Sequence, residues 1–406
     1  MSPNSVQPTR SFYIHVPFCA RKCEYCAFYS EASNGEVINR YVEALIRELE
    51  SIADDLRPDT VFFGGGTPSL LNLAQWRQIL QAMERLNLLG AGEWTIECNP
   101  ATVSPDKARL WRDYGVNRIS MGVQSLDESL LDRLGRVHSR EMVFKSFEVL
   151  RRAGFGNLNV DLMFAIPGQT LDVWRKTLGE ALALGSEHLS SYEVIYEEDT
   201  PLFEQLKAGE FSVDEQLACA MYDELVERTA AHDFTQYEIA NFAKETAAMK
   251  CWSNGAIETQ HSNTATFQHP IPLHACRHNV NYWRGGSYYG LGPSAAGYVR
   301  GVRTKNWSNT TLYCDQLEKG KRAIEWREEL PPLKRAGETA AFGLRMNSGW
   351  AFDPFQKTTG FDLRLEWRTE IDHLVKRGWG QVDSGSFRLT QQGLRFADAA
   401  AELFLR

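Results

Sequence analysis

The first half of the chain alternates short apolar runs with longer segments in which apolar residues recur every three or four positions. The short runs predict buried strands, and the longer segments predict amphipathic helices. Six strands are predicted near residues 11–16, 60–63, 94–98, 118–123, 158–164 and 188–195. Helices are predicted between them near residues 36–55, 73–86, 127–134, 140–153 and 171–184, with a further one that opens at Ser104-Pro105.

Strands that alternate with helices favour a parallel sheet, because each helix carries the chain back to begin the next strand in the same direction. We therefore predict an α/β fold built as a partial (β/α)6 barrel, an open relative of the eightfold barrel. Periodicity alone leaves a flat doubly wound sheet open as an alternative. In both architectures the functional groups gather at the carboxyl ends of the strands.

The pattern changes after the sixth strand. A long amphipathic helix is predicted over residues 214–231, and residues 249–273 form a polar stretch without periodicity, which is typical of a surface insertion. From about residue 330 the chain predicts a smaller α+β domain, broadly winged-helix-like, with helices near 336–345, 363–377 and 391–404 and a strand pair near 380–389. The predicted domains are the barrel at 1–235, an extension at 236–329 and the C-terminal domain at 330–406.

Composition changes this picture little. The chain has 406 residues, of which 43% are hydrophobic and 24% charged, as in ordinary globular proteins. A net charge of −8 provides no basic footprint for nucleic acid, so we expect no nucleic-acid partner. The beginning of the chain lacks the apolar core of a signal peptide, and no stretch approaches the length of apolar sequence that spans a membrane.

Three of the eight cysteines lie together in the run Cys19-Ala-Arg-Lys-Cys23-Glu-Tyr-Cys26, directly after the first predicted strand. Thiolates are soft ligands that select iron–sulfur clusters, zinc or Cu(I). A structural zinc site needs four closed ligands, whereas this run supplies three. Three thiolates on a four-iron cluster would leave one iron open to an exogenous ligand. Buried core cysteines or part of a zinc knuckle are the plain alternatives.

The other five cysteines are scattered, and we expect most of them to be small buried hydrophobic residues. They are Cys98, Cys219, Cys251, Cys276 and Cys314. Iron bound by thiolates requires a reducing compartment, so we predict a cytoplasmic protein.

A second motif, Gly64-Gly65-Gly66-Thr67-Pro68, follows the second predicted strand. Glycines there let a backbone approach a ligand closely, although a tight turn would explain them equally well. Polar residues at or just beyond other strand ends would surround the same barrel mouth; they are Glu97, Gln124, Arg136 and Asp161. Singly, each of these residues could be a surface side chain or a helix cap.

The cysteine run followed by the glycine run resembles the signature of the radical SAM superfamily. This resemblance implies a [4Fe–4S] cluster bound by Cys19, Cys23 and Cys26, with S-adenosylmethionine (SAM) on the open iron. In that family the glycine-rich element binds the amino group of SAM. Carboxylates such as Glu97 or Asp161 would then accept the ribose hydroxyls, and a guanidinium such as Arg136 would bind the SAM carboxylate.

Longer strings resemble the oxygen-independent coproporphyrinogen III oxidase family over nearly the whole chain. They include Phe12-Tyr-Ile-His-Val-Pro-Phe-Cys19, Arg118-Ile-Ser-Met-Gly-Val-Gln-Ser and Asp161-Leu-Met-Phe-Ala-Ile-Pro-Gly-Gln-Thr. The resemblance implies SAM contacts at the matching positions, which are Tyr13, Tyr25, Gly65, Gly66, Thr67, Glu97, Gln124, Arg136 and Asp161. His15 and His138 lie in similar strings, and we expect them to pack or to form hydrogen bonds near the site.

That family has an oxidase branch and a heme-chaperone branch. The oxidase branch has a longer N-terminal extension and a fourth cysteine in its motif. Here 18 residues precede Cys19, and Phe28 stands at the fourth position. Both features favour the chaperone branch.

The string His278-Asn279-Val-Asn-Tyr282-Trp283 is similar to one linked to heme binding in the chaperone branch. Imidazole is a common axial ligand of heme, and aromatic rings can pack against a porphyrin. A structural histidine near an aromatic turn is the alternative. Ala296 stands where chaperone-like members usually have a histidine, which weakens the case for a second heme contact. The polar insertion and its end hold further potential ligands, but their irregular spacing favours a solvated loop: Cys251, His261, His269 and His274.

The resemblance therefore implies a heme chaperone that binds the cluster and SAM, carries heme or porphyrin, and delivers heme to acceptor proteins such as membrane-bound respiratory enzymes. An electron donor such as flavodoxin or ferredoxin is a further implied partner. The second hypothesis is an enzyme that uses a 5′-deoxyadenosyl radical to decarboxylate two propionates of coproporphyrinogen III, giving protoporphyrinogen IX. A third is a radical SAM enzyme with another substrate. Whether SAM is cleaved stays open at this point.

Overall fold

The computed structural model describes residues 7–32, 34–244 and 271–405. Its first six strands are β1 (Thr9–Val16), β2 (Leu56–Gly65), β3 (Glu93–Cys98), β4 (Arg118–Gln124), β5 (Leu158–Phe164) and β6 (His188–Glu193). They lie in the order β6-β5-β4-β3-β2-β1, and every neighbouring pair is parallel. The predicted parallel α/β sheet is therefore confirmed, and each strand lies where the apolar runs placed it.

The helices between these strands are α1 (Gly35–Ile52), α2 (Leu73–Arg85), α3 (Pro105–Asp113), α4 (Glu128–Arg133), α5 (Arg140–Arg152) and α6 (Leu171–Ala183). Each begins after a residue whose side-chain oxygen accepts hydrogen bonds from the free N–H groups of the first turn. At α3 the cap is Ser104, followed by Pro105, as the sequence predicted. Polar caps therefore fix where the chain turns from each strand into its helix.

After β6 the chain continues through α7 (Pro201–Lys207), α8 (Glu215–Ala231), β7 (Phe234–Gln236), β8 (Asn241–Lys244), α9 (Arg277–Trp283), β9 (Tyr289–Leu291), β10 (Ala296–Val299), β11 (Val302–Asn306), α10 (Thr310–Glu318) and β12 (Ile324–Glu329). The C-terminal part contains α11 (Pro332–Gly343), β13 (Trp350–Ala351), α12 (Phe352–Thr359), α13 (Leu363–Glu366), α14 (Arg368–Lys376), β14 (Gly380–Val382), β15 (Ser386–Leu389), α15 (Gln391–Leu394) and α16 (Ala397–Glu402). No described helix combines the length and apolar character needed to cross a membrane.

Within the first unit of the chain, a further short strand that the sequence did not predict lies beside β1. This strand, β9, belongs to a glycine- and tyrosine-rich segment and pairs in parallel with β1, with Phe12 opposite Tyr289. A Cβ atom on Gly290 would lie 1.9 Å from the carbonyl oxygen of Ala296, so glycine is required for β9 and the following strand to approach. Gly290 therefore permits close strand packing, while Gly285 and Gly292, which have positive φ angles, lie in or beside the turns that flank this strand.

Aromatic packing holds the helices against the middle of the sheet. The indole of Trp76 lies 5.0 Å from the ring of Phe63 and 5.6 Å from the ring of Trp111, centre to centre. All three side chains are fully buried, and burial of rings of this size is worth about 2–3 kcal/mol each. This cluster holds α2 and α3 against β2. The loops at the carboxyl ends of the strands emerge on one edge because the strands are parallel.

The chain forms two compact units. The first comprises residues 1–228 and 287–328, and the second comprises residues 229–286 and 329–406. The second contains the antiparallel pair β7–β8 and the small sheet β13-β15-β14, packed with helices around Trp350, Trp367 and Phe387. A smaller C-terminal domain with helices and an antiparallel sheet is thereby confirmed, while the domain bounds at residues 235 and 329 stay a prediction.

The scattered cysteines follow the expectation with one exception. Cys98, Cys276 and Cys314 are buried, but Cys219 on α8 is exposed. Its position on the outer side of an amphipathic helix accounts for the difference. Cys251 lies outside the described residues.

Candidate functional site

The three clustered cysteines lie on the loop between β1 and α1, and main-chain hydrogen bonds fix this loop at its start and in its middle. At its start, the N–H of Cys19 donates to the carbonyl of Glu31 at 3.1 Å. In its middle, the N–H of Glu24 donates to the carbonyl of Leu134, and the carbonyl of Glu24 accepts from the N–H of Leu202 at 2.9 Å. Segments far away in the sequence therefore hold the cysteine loop in place.

All three thiols are half-buried and none forms a disulfide. Cys23 Sγ accepts from Nη1 of Arg136 at 3.4 Å, and Cys19 Sγ lies 3.5 Å from the hydroxyl of Thr67. Burial raises the pKa of the Cys26 thiol. A neighbouring guanidinium offsets the negative charge of metal-bound thiolates, so the surroundings of Cys23 suit a ligand.

Among residues 7–32, 34–244 and 271–405, no group of three or more His, Cys, Asp or Glu side chains is arranged to hold a single metal ion. A four-iron cluster makes a different demand, because each cysteine binds a different iron and the thiols surround the cluster. Three half-buried thiols on one anchored loop fit that arrangement. Phe28, at the position of a fourth cysteine, has no ligand atom and is 70% exposed.

The glycine run lies directly against this loop. The N–H of Gly66 donates to the carbonyl of Val16, and the N–H of Thr67 donates to the carbonyl of Phe18, both at 2.8 Å. Gly65 has a φ of +104°, which favours glycine, and a Cβ atom there would lie 2.5 Å from the ring of His15. The run therefore requires glycine for close packing, whatever ligand it meets.

Glu97, near the end of β3, faces the same glycines. Its Oε2 accepts from the N–H of Gly65 at 3.1 Å. Burial, and then the neighbouring Asp161, raise the pKa of Glu97 to about 8, while the Gly65 N–H and the charge of Arg118 oppose the rise. A carboxyl group of this kind is poised to gain or lose a proton near neutral pH.

Gln124 and Arg136 come together beyond β4. Arg136 Nη2 donates to the carbonyl of Gly122 at 2.6 Å, and a Cβ atom on Gly122 would lie within 3.3 Å of both the Gln124 amide and the guanidinium. Gln124 has a φ of +64°, at an irregularity in the pairing of β4 with β5. The Nε atom of Arg136 is buried without a hydrogen-bond partner, so this guanidinium has donor capacity left for a ligand.

Asp161 lies in the middle of β5, not at its end. Its carboxylate accepts from the amide of Asn159 at 2.7 Å and from the hydroxyl of Ser120 at 3.0 Å. Burial raises the pKa of Asp161, and these donors together with the charge of Arg118 limit the rise. The carboxylate of Asp161 therefore projects from the middle of its strand, on the same face of the sheet as Glu97.

The histidine that precedes the cysteine loop has a defined tautomer. Its Nε2 lies 2.8 Å from the carbonyl oxygen of Tyr29, which only accepts, so His15 carries its proton on Nε2. Its Nδ1 then accepts from the hydroxyl of Tyr13 at 3.1 Å. Burial lowers the pKa of His15, which keeps the ring neutral. The expected hydrogen-bonding role of His15 is confirmed.

Tyr25 and His138 lie beside Arg136. Burial raises the pKa of the Tyr25 phenol, and the ring packs with Leu130 and Leu134. His138 Nε2 lies 3.1 Å from the carbonyl of Val123, and burial together with Arg136 lowers the pKa of His138 to about 3. His138 is therefore a neutral hydrogen-bonding residue, as predicted.

The structure thus gathers the predicted cluster and SAM residues of the first unit around one edge of its sheet. The sequence missed Arg118, Asn159 and His188, which are buried in the same region. The sequence does contain an indication of these residues, because polar side chains occur at every second position of several strands that are otherwise apolar. That indication gains meaning only when the strand register is known.

The predicted heme string forms α9 in the second unit. His278 is buried, and its Nε2 lies 2.7 Å from the hydroxyl of Tyr282 one turn along the helix. The guanidinium of Arg345 lies 4.7 Å from the centre of the Trp283 ring. Asn279 is half-buried, and Ala296 is an exposed residue of β10 in the first unit. Nε2 of His278 could bind a metal only if its hydrogen bond to Tyr282 breaks.

Of the ligand candidates in the polar insertion, Cys251, His261 and His269 lie outside the described residues. His274 is half-buried in a turn before α9.

Two family models match the chain, the radical SAM superfamily over residues 13–181 and the HemN C-terminal domain over residues 330–396. The heme chaperone HemW of Bacillus subtilis is 32% identical over 405 residues, which cover 98% of this chain and 99% of that protein. The heme chaperone HemW of Lactococcus lactis is 30% identical over 403 residues, with 98% of each chain covered.

Among solved structures, the radical SAM enzyme coproporphyrinogen III oxidase (HemN) of Escherichia coli matches with a TM-score of 0.78. The match covers 98% of this chain and 90% of that chain at 19% identity, so it shows the fold alone. Radical SAM membership implies a [4Fe–4S] cluster and SAM, and the donor set on the cysteine loop agrees with such a cluster. The chain belongs to the radical SAM superfamily and, within it, to the family of HemW proteins.

Proposed function

We propose that this protein is a heme chaperone, which holds a [4Fe–4S] cluster and SAM, binds heme and hands the heme to acceptor proteins. The observation that carries the proposal is similarity over 98% of the chain to proteins described as heme chaperone HemW. The acceptors we propose include membrane-bound respiratory enzymes, and the proposed compartment is the cytoplasm, where thiolate-bound iron stays reduced.

In this proposal Cys19, Cys23 and Cys26 hold the cluster. The guanidinium of Arg136, at 3.4 Å from Cys23 Sγ, offsets the negative charge of the thiolates. When bound, the cluster supplies the electron that cleaves SAM in this superfamily, and a flavodoxin or ferredoxin is the proposed donor of that electron.

SAM is proposed to lie over the glycine run, because main-chain carbonyl groups can accept hydrogen bonds from an amino group and the carboxyl of Glu97 lies against this run. The main chain of Gly65, Gly66 and Thr67 would receive the amino group. Glu97 and Asp161 present carboxylate oxygens to cationic or hydroxyl groups, and the free Nε of Arg136 suits a carboxylate. Tyr13, Tyr25 and Gln124 would complete the contacts.

Heme is proposed to bind at α9, through His278 with Asn279, Tyr282 and Trp283. The indole of Trp283 is fixed by the guanidinium stacked on it, which leaves a rigid aromatic surface. Because Nε2 of His278 is hydrogen-bonded to Tyr282, ligation through this atom would require that hydrogen bond to break.

The alternative is an oxygen-independent coproporphyrinogen III oxidase, which the shared fold with HemN favours. The side chain at the fourth cysteine position argues against it, since Phe28 offers no ligand atom and points to solvent.

An anaerobic assay separates the two functions. Protein with a verified cluster is mixed with SAM, reductant and coproporphyrinogen III, and protoporphyrinogen and 5′-deoxyadenosine are measured in the same tube. We expect no protoporphyrinogen. Several turnovers of protoporphyrinogen, lost in Cys23→Ser and retained in the control Cys219→Ser, would overturn the chaperone proposal.

A further inference from the structure

Four neighbouring strands each place two polar residues on one face of the sheet. The pairs, here called the polar line, are Thr95 and Glu97 on β3, Arg118 and Ser120 on β4, Asn159 and Asp161 on β5, and His188 and Ser190 on β6. The strand register aligns them, with Thr95 opposite Arg118, Ser120 opposite Asn159 and Asp161 opposite Ser190. Strands of parallel sheets are usually apolar on both faces, so the polar line requires an explanation.

Hydrogen bonds join most of the polar line. The amide nitrogen of Asn159 donates to Asp161 and to Ser120, both at 2.7 Å. This fixes the amide oxygen of Asn159 toward His188, whose Nδ1 lies 2.6 Å away and must carry the proton. The neutral members thus orient Asp161 and supply donors to its carboxylate.

Arg118 supplies positive charge to the polar line, whose carboxyl groups are those of Glu97 and Asp161. Like charges on Glu97 and Asp161 repel, which raises the energy of the state in which both carboxyls are ionised. The positive charge of Arg118 lowers the energy of both ionised carboxylates. Arg118 is 2% exposed, and its Nη1 donates to the hydroxyl of Thr95 at 3.4 Å. Such a deeply buried guanidinium is costly to keep unless it compensates buried negative charge.

We propose that Arg118 is a positioning residue, the internal counter-ion that lets Glu97 and Asp161 ionise together when they receive cationic or hydroxyl groups of SAM. Arg118 acts through the two carboxylates and does not touch the ligand. The SAM part of this inference rests on the proposed function; the counter-ion part concerns the protein alone. Other titratable groups near the carboxylates are Tyr13 and Cys98 beside Glu97 and His188 beyond Asn159. Glu93 is a further buried carboxyl on the same face of β3, two residues before Thr95, the residue opposite Arg118.

The first test measures thermal unfolding of the cluster-loaded protein at about pH 6 and about pH 8.5. Arg118→Met should destabilise the protein more at the higher pH, where both carboxyls lose their protons. Adding Glu97→Gln should then recover most of the lost stability, because only one buried carboxylate, that of Asp161, remains without a counter-ion. Arg118→Lys keeps the charge and should remain near wild type. Thr95→Val, which removes only the hydrogen bond, is the matched control.

Additive effects of Arg118→Met and Glu97→Gln with unchanged pH dependence would overturn the proposal, because a packing role predicts that result. If Arg118→Met gives no soluble protein, the double variant decides, since a soluble double variant supports charge compensation and an insoluble one contradicts it.

The second test measures SAM affinity by equilibrium dialysis without reductant. Arg118→Met should weaken SAM binding at neutral pH by about tenfold or more, with recovery at higher pH, while Arg118→Lys should stay within about threefold of wild type. Equal SAM affinity in Arg118→Met and wild type would overturn the link to the ligand. Failure of the wild type to bind SAM would instead reject the proposed cofactor role and leave the unfolding test to judge the counter-ion.

Discussion

Glu97 shows how the fold, and not the residue type, decides the chemistry of a side chain. The sequence places a glutamate at a strand end, which is ordinary, but the fold buries it beside Asp161 and raises its pKa to about 8. Motif reasoning could identify Glu97 and Asp161 as candidate site residues. It could not identify Arg118, because a single arginine at the start of a strand has no distinctive pattern until its neighbours across the sheet are known.

The raised pKa of Glu97 predicts that the stability of the protein depends on pH. A carboxyl group whose pKa is raised in the folded state stabilises the protein below its unfolded pKa and loses that contribution as pH rises through the folded pKa. The window therefore runs from about pH 4.5 to about pH 8. We expect Glu97→Gln to flatten the loss of stability across this window, by up to a few kcal/mol, in unfolding measured at several pH values. Glu198→Gln, an exposed change, is the control, and an equal effect of both would contradict the argument.

The close contacts around Gly65 predict that adding a single methyl group there destabilises the protein. Gly65→Ala combines a backbone at φ +104° with a Cβ atom 2.5 Å from the ring of His15. Gly115 has a similar φ of +96° but open space around it, so Gly115→Ala isolates the backbone cost of about 1 kcal/mol. We expect Gly65→Ala to cost at least about 2 kcal/mol of unfolding free energy and to lower iron content after reconstitution. Equal losses in both variants would show that the contact with His15 is unimportant.

At the scale of elements, the sequence predicted the strands and helices of the first half well because hydrophobic spacing and polar caps agree there. The three-residue strand β9 was missed, since so short an element has no periodicity and depends on the close approach that Gly290 permits. The anchoring of the cysteine loop was also invisible, because its partners Leu134 and Leu202 lie far away in the sequence.

Helix α9 carries a prediction about heme binding. If His278 is the ligand, its hydrogen bond to Tyr282 competes with ligation. Tyr282→Phe removes the hydroxyl but keeps the ring, so heme affinity should rise by about threefold to tenfold, as expected for one hydrogen bond. Heme titration followed in the Soret region measures this. In a His278→Ala background Tyr282→Phe should change nothing; the same gain in both backgrounds would exclude His278 as the ligand.

At the scale of the whole molecule, the parallel order of six strands and the smaller C-terminal domain followed from the alternation of patterns along the chain. The composition of the two units did not, because each is assembled from separated segments of the chain. Long-range contacts decide that assembly, and a single sequence does not display them. Family membership then fixes the cofactors, while the function itself rests on full-length similarity to HemW proteins.

The most direct measurement is transfer of heme from this protein to an acceptor. The cluster-loaded protein is titrated anaerobically with heme, freed of excess by gel filtration, and mixed with apomyoglobin while the absorption spectrum is followed. The account predicts that about one heme per chain is retained and then passes to apomyoglobin. A protein that retains no heme, or retains it without transfer, would contradict the account.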